Sequence, residues 1–267
     1  MRINGGRIGS RNSTTGTVAS GLWSLTDQQQ ETGTSFTWVK SIVRSGLVLH
    51  LDASDTASYP RSGTVWYDLS GNGNNFNISS SAWFAGGVRS YMNFRGLYGC
   101  AKNSADISLS GDVTYLAATR ILNSAADWRT LTRGYAGDHQ VIVESGGWGI
   151  GMFDNDGASF LNTTYSQQSL PGVSINAFNI MCWRWTNADN PTYDFNVNNV
   201  QRGTITNAGA RYTRGFGSLG NYHAGSADPA VGSQYWGDIA VFAAYNRRLS
   251  DAEVAENFNA LRGRFEL

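Results

Sequence analysis

The sequence predicts an all-β chain: an antiparallel two-sheet sandwich with one short C-terminal helix and an extended N-terminal arm. Three observations carry that prediction. The 267 residues include 32 glycines and 12% aromatics, while charged residues make up only 15%, against about a quarter in ordinary soluble domains. Short stretches of apolar–polar alternation recur between Gly-, Asn- and Ser-rich turns, without the strand–helix alternation that builds a parallel sheet. Ile239 to Tyr245 is apolar at every position, which demands cover on both faces and marks a central strand. A chain of this length buries a sizeable core as one domain.

Residues 1–43 differ from the rest and read as a docking arm, with the sandwich domain running from 44 to 267. Up to Thr26 the arm is dominated by Gly, Ser, Thr and Asn, with Arg2, Arg7 and Arg11 and no acid, a composition that forms no packed core. Leu22, Trp23 and Leu25 interrupt it. Ser24 and Asp27 have the spacing of a weak cap, which predicts a short helical turn running into Gln28, Gln29 and Gln30. Phe36, Trp38 and Val39 form a second apolar group. These aromatics either fold back on their own sandwich or insert into another subunit, where each large side chain fully buried contributes roughly 1.5–3 kcal/mol. In the second case Arg7, Arg11, Leu22, Trp23 and Leu25 are the docking residues.

The body begins with a strand in which Leu47, Leu49 and Leu51 point one way and Val48 and His50 the other. Val65 to Leu69 follows as a strand. It is stopped by Ser70-Gly71-Asn72-Gly73-Asn74-Asn75, a turn of residues that tolerate positive φ. Phe76 to Ile78 and Met92 to Phe94 read as strands. So does 113–121, where Val113, Tyr115, Ala117 and Ile121 alternate with Thr114, Leu116, Ala118 and Arg120. Further strands are predicted at 131–133, 141–144, 148–153 and 180–185, the last with Met181, Trp183 and Trp185 on one face. Tyr193, Phe195 and Val197 alternate with Asp194 and Asn196, Asn198-Asn199 turns, and Val200 to Ile205 returns, which is a hairpin. Residues 212–221 lead through the irregular 222–234 to the central strand. Ser250 and Glu253 then form a capping box. Val254, Phe258 and Leu261 share one helical face, and Gly263 is placed to end the helix.

The chemistry is mostly defined by exclusion. The formal charge is zero and Lys40 and Lys102 are the only lysines, so no basic stripe for nucleic acid exists. No run of about 18 apolar residues is present to span a membrane, and the N-terminus carries no apolar leader. Cys100 and Cys182 have no metal spacing; they form one disulfide or, the favoured reading, two reduced core thiols. His50, His139 and His223 are dispersed, and His50, set among core leucines, reads as a satisfied sandwich histidine. No nucleophile elbow is present, and the chain is expected not to be an enzyme. Asp154-Asn155-Asp156-Gly157 and the pair Asp52 and Asp55 are oxygen-rich enough to weigh for calcium. Asp and Asn in turns usually bond their own backbone, so no cofactor and no metal residue is assigned. Trp128, Trp148, Tyr165 and Tyr222 lie beside loops rich in Asn, Asp and Arg and are the candidate glycan-binding residues, although surface aromatics equally serve protein interfaces.

Five stretches carry a resemblance. YNRRLSDAE at 245–253, together with the strand before it and the helix after it, is similar to the closing segment of concanavalin-like, laminin-G-like jelly-roll domains. GLVLHLDAS at 46–54 and TVWYDLSGNGNN at 64–75 resemble the opening strands of that family as found in structural proteins of tailed bacteriophages. GGRIG at 5–9 and SGLWSL at 20–25 resemble the N-terminal segment of marine-phage virion proteins. The jelly-roll resemblance covers about 44–264. It implies a virion structural protein assembled in the host cytoplasm, a displayed jelly roll docked by its arm to other virion subunits as capsid decoration or accessory protein. The alternative it implies is a tail- or fibre-associated, lectin-like adhesin for host surface glycans. Either is a homo-oligomer, a trimer in the fibre reading. No heptad or β-helix repeat supplies a fibre shaft, which favours the capsid surface. Relatives that are glucanases place carboxylates at E-x-D-x-x-E on one strand; here Glu144 is the only glutamate between Glu31 and Glu253.

Overall fold

The computed structural model describes residues 27–32, 35–78, 83–94, 101–109, 111–122, 128–134, 139–144, 150–154, 157–161, 173–174, 176–186, 192–206, 215–220, 235 and 237–267. In chain order the elements are β1 (Asp27–Thr32), β2 (Ser35–Lys40), β3 (Leu47–Asp52), β4 (Val65–Trp66), β5 (Phe76–Ile78), β6 (Trp83–Phe84), β7 (Tyr91–Asn93), β8 (Ala101–Ser108), β9 (Val113–Ile121), β10 (Trp128–Arg133), β11 (His139–Glu144), β12 (Ile150–Asp154), β13 (Gly157–Leu161), β14 (Phe178–Trp185), β15 (Thr192–Val197), β16 (Val200–Thr206), β17 (Gly215–Leu219), β18 (Gly237–Tyr245) and α1 (Asp251–Phe265). Among the described residues the strands make two eight-stranded antiparallel sheets and a separate β1–β2 hairpin. One sheet has the order β13-β12-β11-β10-β17-β8-β5-β4. The other runs β16-β15-β14-β9-β18-β7-β6, with β3 also paired to β18.

The sheets face each other across one core. Trp66, Phe76, Leu131, Val141 and Leu219 of the first sheet belong to the same buried cluster as Tyr115, Met181, Trp183, Trp185 and Phe242 of the second. The outer face of the second sheet is buried too: Leu116, Ala118, Ile180, Cys182, Ala240 and Tyr245 pack with Val254, Leu261 and Phe265 of α1. This is why β18 is apolar at every position from 239 to 245, and every residue of it is buried. Ile42 and Val43 join the outer cluster, and the Val43 N–H donates to Asn257 Oδ1 at 2.7 Å. The two-sheet sandwich with a short C-terminal helix is therefore the observed fold.

Local chemistry explains the joints. The β15–β16 turn places both asparagines at positive φ, 50° for Asn198 and 64° for Asn199, the requirement of a two-residue hairpin. Ser250 caps α1: its Oγ accepts from Glu253 N–H at 3.3 Å while Glu253 Oε2 accepts from Ser250 N–H at 2.9 Å.

Three expectations are corrected. The helix does not stop at Gly263 but runs to Phe265, closing on Glu266 at φ 58°. Phe265 lies four residues after Leu261 on the buried face, and a Cβ at Gly263 would meet nothing. Glycine there merely lacks a side chain. Gln28, Gln29 and Gln30 are not helical; they pair with Val39, Trp38 and Thr37 in the hairpin, where a full ladder outweighs one weak cap. The strand expected over 65–69 is Val65–Trp66 alone.

The reason for that last change is useful. β3 is paired to β18 on one edge, and residues 68–74 close the other. Asp68 Oδ1 accepts from His50 N–H at 2.9 Å, and Leu69 N–H donates to His50 O at 2.8 Å. Asn72 Nδ2 donates to Leu47 O at 3.1 Å and Asn74 Nδ2 to Val48 O at 2.8 Å. The Gly-Asn-rich turn thus covers the hydrogen-bonding edge of a strand with side chains. Asp68→Ala removes the acceptor for the N–H groups of His50, Ser70 and Asn74. It is expected to lower stability by about 1–3 kcal/mol, measured by urea unfolding; an unchanged midpoint would show that water replaces Asp68 without cost.

Candidate binding face

Strand register assembles a row of side chains across one end of the helix-covered sheet. Phe178 of β14 pairs with Arg120 of β9, Arg120 with Asp238 of β18, and Asp238 with Asn93 of β7. Directly opposed residues point to the same face. That face is the outer one, because Ala118, Ile180 and Ala240, each two residues further into its strand, pack in the cluster beneath α1. Tyr91, two residues before Asn93, lies on the same side and pairs with Phe84 of β6.

The rings form a continuous step. Phe84 stacks on Tyr91 with centroids 5.4 Å apart and planes 9° from parallel. Tyr91 meets Phe178 at 5.9 Å, and Phe178 meets Phe265 of α1 at 5.0 Å. The Arg120 guanidinium carbon sits 5.0 Å from the Tyr91 centroid and 5.3 Å from that of Phe178, within range of attraction to both rings. Beneath it, Asp238 is fully buried and accepts from Arg120 Nε at 2.6 Å and from Asn93 Nδ2 at 2.5 Å. Arg120 Nη2 closes a second contact to the same carboxylate. Burial opposes the charge on Arg120, but the hydrogen bond and charge of Asp238 outweigh it and hold the guanidinium above its ordinary pKa. The result is a fixed cation on a buried anchor.

Exposure shows which parts reach solvent. Phe84 is 49% exposed, and Tyr91, Asn93, Arg120 and Phe178 are half-buried. The adjoining 3-10 turn Gly87–Arg89 carries Val88, 63% exposed. That turn is pinned to the end of α1 by Arg264 Nε donating to Val88 O at 2.9 Å and by the ion pair of Arg89 with Glu266. The exposed Phe84 ring, with a fixed guanidinium and a carboxamide at the border of the step, suits a ring with one apolar face and hydroxyls around its rim. Among the described residues of the row Asp238 is the one carboxylate, and it is buried and committed to Arg120 and Asn93.

Of the binding and docking residues singled out from sequence only Trp128 is described, and it lies elsewhere. Trp128 opens β10 in the opposite sheet, paired with Glu144. Trp148, Tyr165 and Tyr222 fall outside the described residues, as do Arg7, Arg11, Leu22, Trp23 and Leu25. Asp52 and Asp55, weighed for calcium, are engaged within the chain. Arg264 Nη1 and Nη2 reach the two oxygens of Asp52 at 2.5 and 3.0 Å. Burial raises the Asp52 pKa, but Arg264 and Ser54 together hold it below the usual carboxylate value. Asp55 Oδ1 accepts from Ala57 N–H at 2.8 Å. Asp154 and Gly157 face each other across the β12–β13 hairpin, the turn the sequence indicated. Among the described residues no group of three or more metal-ligating side chains forms. Cys182 is a buried free thiol, its pKa pushed up to about 12 by burial; Cys100 lies outside the described residues. His50 departs from expectation, because its Nδ1 is buried without a hydrogen-bond partner: the loop that closes the strand edge serves its backbone, not its ring.

No family model matches the chain, and no curated protein matches it in sequence. Solved structures of similar fold include a mutant of Trypanosoma rangeli sialidase displaying trans-sialidase activity, with TM-score 0.55 and 13% identity over 84% of this chain and 34% of that one. The binding domain of Paraclostridial Mosquitocidal Protein 1 matches with TM-score 0.54 and 15% identity, over 81% and 52%. The botulinum neurotoxin type G receptor-binding domain matches with TM-score 0.54 and 14% identity, over 80% and 51%. The chain thus spans about a third of the sialidase and half of each toxin fragment. Identity this low shows a shared sandwich, jelly-roll-like fold and nothing finer. It also corrects the expectation that the chain is not an enzyme. The fold recurs within sialidases, so the missing glucanase carboxylates do not exclude catalysis, and the similarity itself assigns no activity.

Proposed function

We propose that this chain is a surface-recognition module that binds glycans through the Phe84–Tyr91–Arg120 face, and that it is carried on a phage particle by its N-terminal arm. The observation that carries the binding half is the register-built row: stacked rings, a guanidinium locked by a buried carboxylate, and Asn93 beside them. A pyranose has one face of C–H groups to lie on an exposed ring and hydroxyls to accept from Arg120 and Asn93. Two similar folds are named as binding domains, and a sialidase of the same fold has been solved with sialic acid, which supports the class of function. The virion half rests on the sequence resemblance of 46–54, 64–75 and 245–253 to phage structural proteins. The homo-oligomer that resemblance implies, a trimer in the fibre reading, belongs to the same proposal.

A glycan array probed with the full chain tests the binding half. Phe84→Ala removes an exposed ring and is expected to weaken retained glycans about 10-fold, near 1.4 kcal/mol, with the unfolding midpoint unchanged. An intact chain that retains no glycan, or a variant that binds as the parent does, would sink the assignment. Imaging of whole particles tests the other half: the arm should be ordered against another virion subunit.

A further inference from the structure

The helix α1 separates two unlike surfaces. Its C-terminal Phe265 touches the aromatic face, while its cap Ser250 lies on an open cleft of about 570 Å³ that Arg184, Asp194, Gln201, Arg248 and Asp251 also line. A fifteen-residue helix is about 22 Å long, so the cleft is distinct from the aromatic row.

The arginines of this cleft are unequally matched. Arg247 is cancelled: Nη1 and Nη2 reach the two oxygens of Glu253 at 2.9 and 2.6 Å. Arg184 and Arg248, by contrast, share the buried carboxylate of Asp194. Arg248 Nη2 sits on Oδ2, and Arg184 Nη2 approaches the same oxygen only to 3.4 Å. The other oxygen of Asp194 accepts from Thr204 Oγ1 at 2.8 Å. Arg184 is 4% exposed at its side chain, and its Nε is buried with no partner. It also reaches Asp251 Oδ1 at 2.6 Å, but that carboxylate is 88% exposed and screened by water. Burial and the neighbouring Arg184 pull Arg248 below its ordinary pKa, and the attraction of Asp112 and Asp251 does not offset them. Two guanidiniums therefore face one buried counter-charge, at the positive end of a helix dipole.

We infer that this cleft binds the oxyanion of a small ligand, the carboxylate of an acidic sugar or a phosphate group. Arg248, 25% exposed at its side chain, meets the anion, Gln201 supplies a neutral donor, and Arg184 is the fixed charge behind them. The volume lies in the range of small-molecule sites. The site is independent of the glycan face, so either assignment can fail alone.

Titration calorimetry of the full chain at low salt with D-glucuronate, inorganic phosphate and D-glucose tests it. The two anions are expected to bind and glucose is not. Gln201→Glu places a carboxylate on an exposed rim residue and is expected to weaken both anions at least 10-fold with the unfolding midpoint unchanged, while Phe84→Ala leaves them unaffected. Glucuronate 10-fold tighter than phosphate identifies an acidic sugar as the source, and the reverse order a phosphate; both support the site. No binding of either anion, glucose binding as tightly as glucuronate, or a Gln201→Glu chain that binds like the parent would overturn it.

Discussion

Asp194→Ala is expected to destabilise the fold by about 3–5 kcal/mol, the usual consequence of removing one member of a buried ion cluster. The carboxylate is 6% exposed at its side chain and receives Arg184, Arg248 and Thr204. Without it two guanidiniums lie close together with no buried counter-charge, and the Thr204 hydroxyl loses its acceptor. Against a typical domain stability of about 5–15 kcal/mol this is a large fraction, and urea unfolding at neutral pH measures it. Asp194→Asn keeps an acceptor and should fall between the two. A loss below about 1 kcal/mol for the alanine variant would mean that water enters the cleft and solvates both arginines.

Acidification should act through a different residue. His50 titrates at about 4 instead of 6.5, chiefly because its ring is buried; the attraction of Asp52 and Asp68 is countered by Arg44 and Arg264. The folded state thus holds fewer protons than the unfolded state between these values. Stability is complete above pH 6.5, falls as the pH drops, and levels off near 4. Over the two units from 6.5 to 4.5 the expected loss is about 2–3 kcal/mol. Glu253, lowered from 4.5 to about 2 mainly by Arg247, loses its own contribution only below about pH 4.5, so the windows separate. Urea midpoints across this range should slope for the parent chain and lie nearly flat for His50→Gln. Parallel slopes would assign the pH dependence elsewhere.

What the sequence disclosed was what is local. Met181, Trp183 and Trp185 share the inner core as their alternation requires, Asn198-Asn199 makes the hairpin turn, and Ser250 with Glu253 caps α1. Ala101–Ser108 is a full strand that no pattern announced, since Lys102, Asn103, Ser104 and Asp106 interrupt any apolar alternation; its pairing with β17 and β5 makes it a strand. The aromatic row was invisible for a related reason. Phe84, Tyr91, Asn93, Arg120, Phe178 and Asp238 come from five strands, and only their register makes them neighbours. One signal was present: Arg120 and Asp238 are charged residues at the ends of otherwise uncharged strands, and opposite charges in that setting are often partners across a sheet. Sequence reasoning looked for aromatics near loops, whereas the rings of this row stand on strand ends.

The position of β18 has a consequence for how the chain is made. It pairs with β3, β7 and β9, all of which precede it, so a nascent chain carries those strands before their common partner exists. Contacts of such long sequence separation place folding on the millisecond-to-second scale. During that interval unpaired apolar edges are open to neighbouring chains. The side-chain lid from Asp68 to Asn74 follows β3 closely in sequence and is synthesised well before β18. Within that lag it shields one edge of β3 from association with other polypeptides, leaving free only the edge that the late strand will claim.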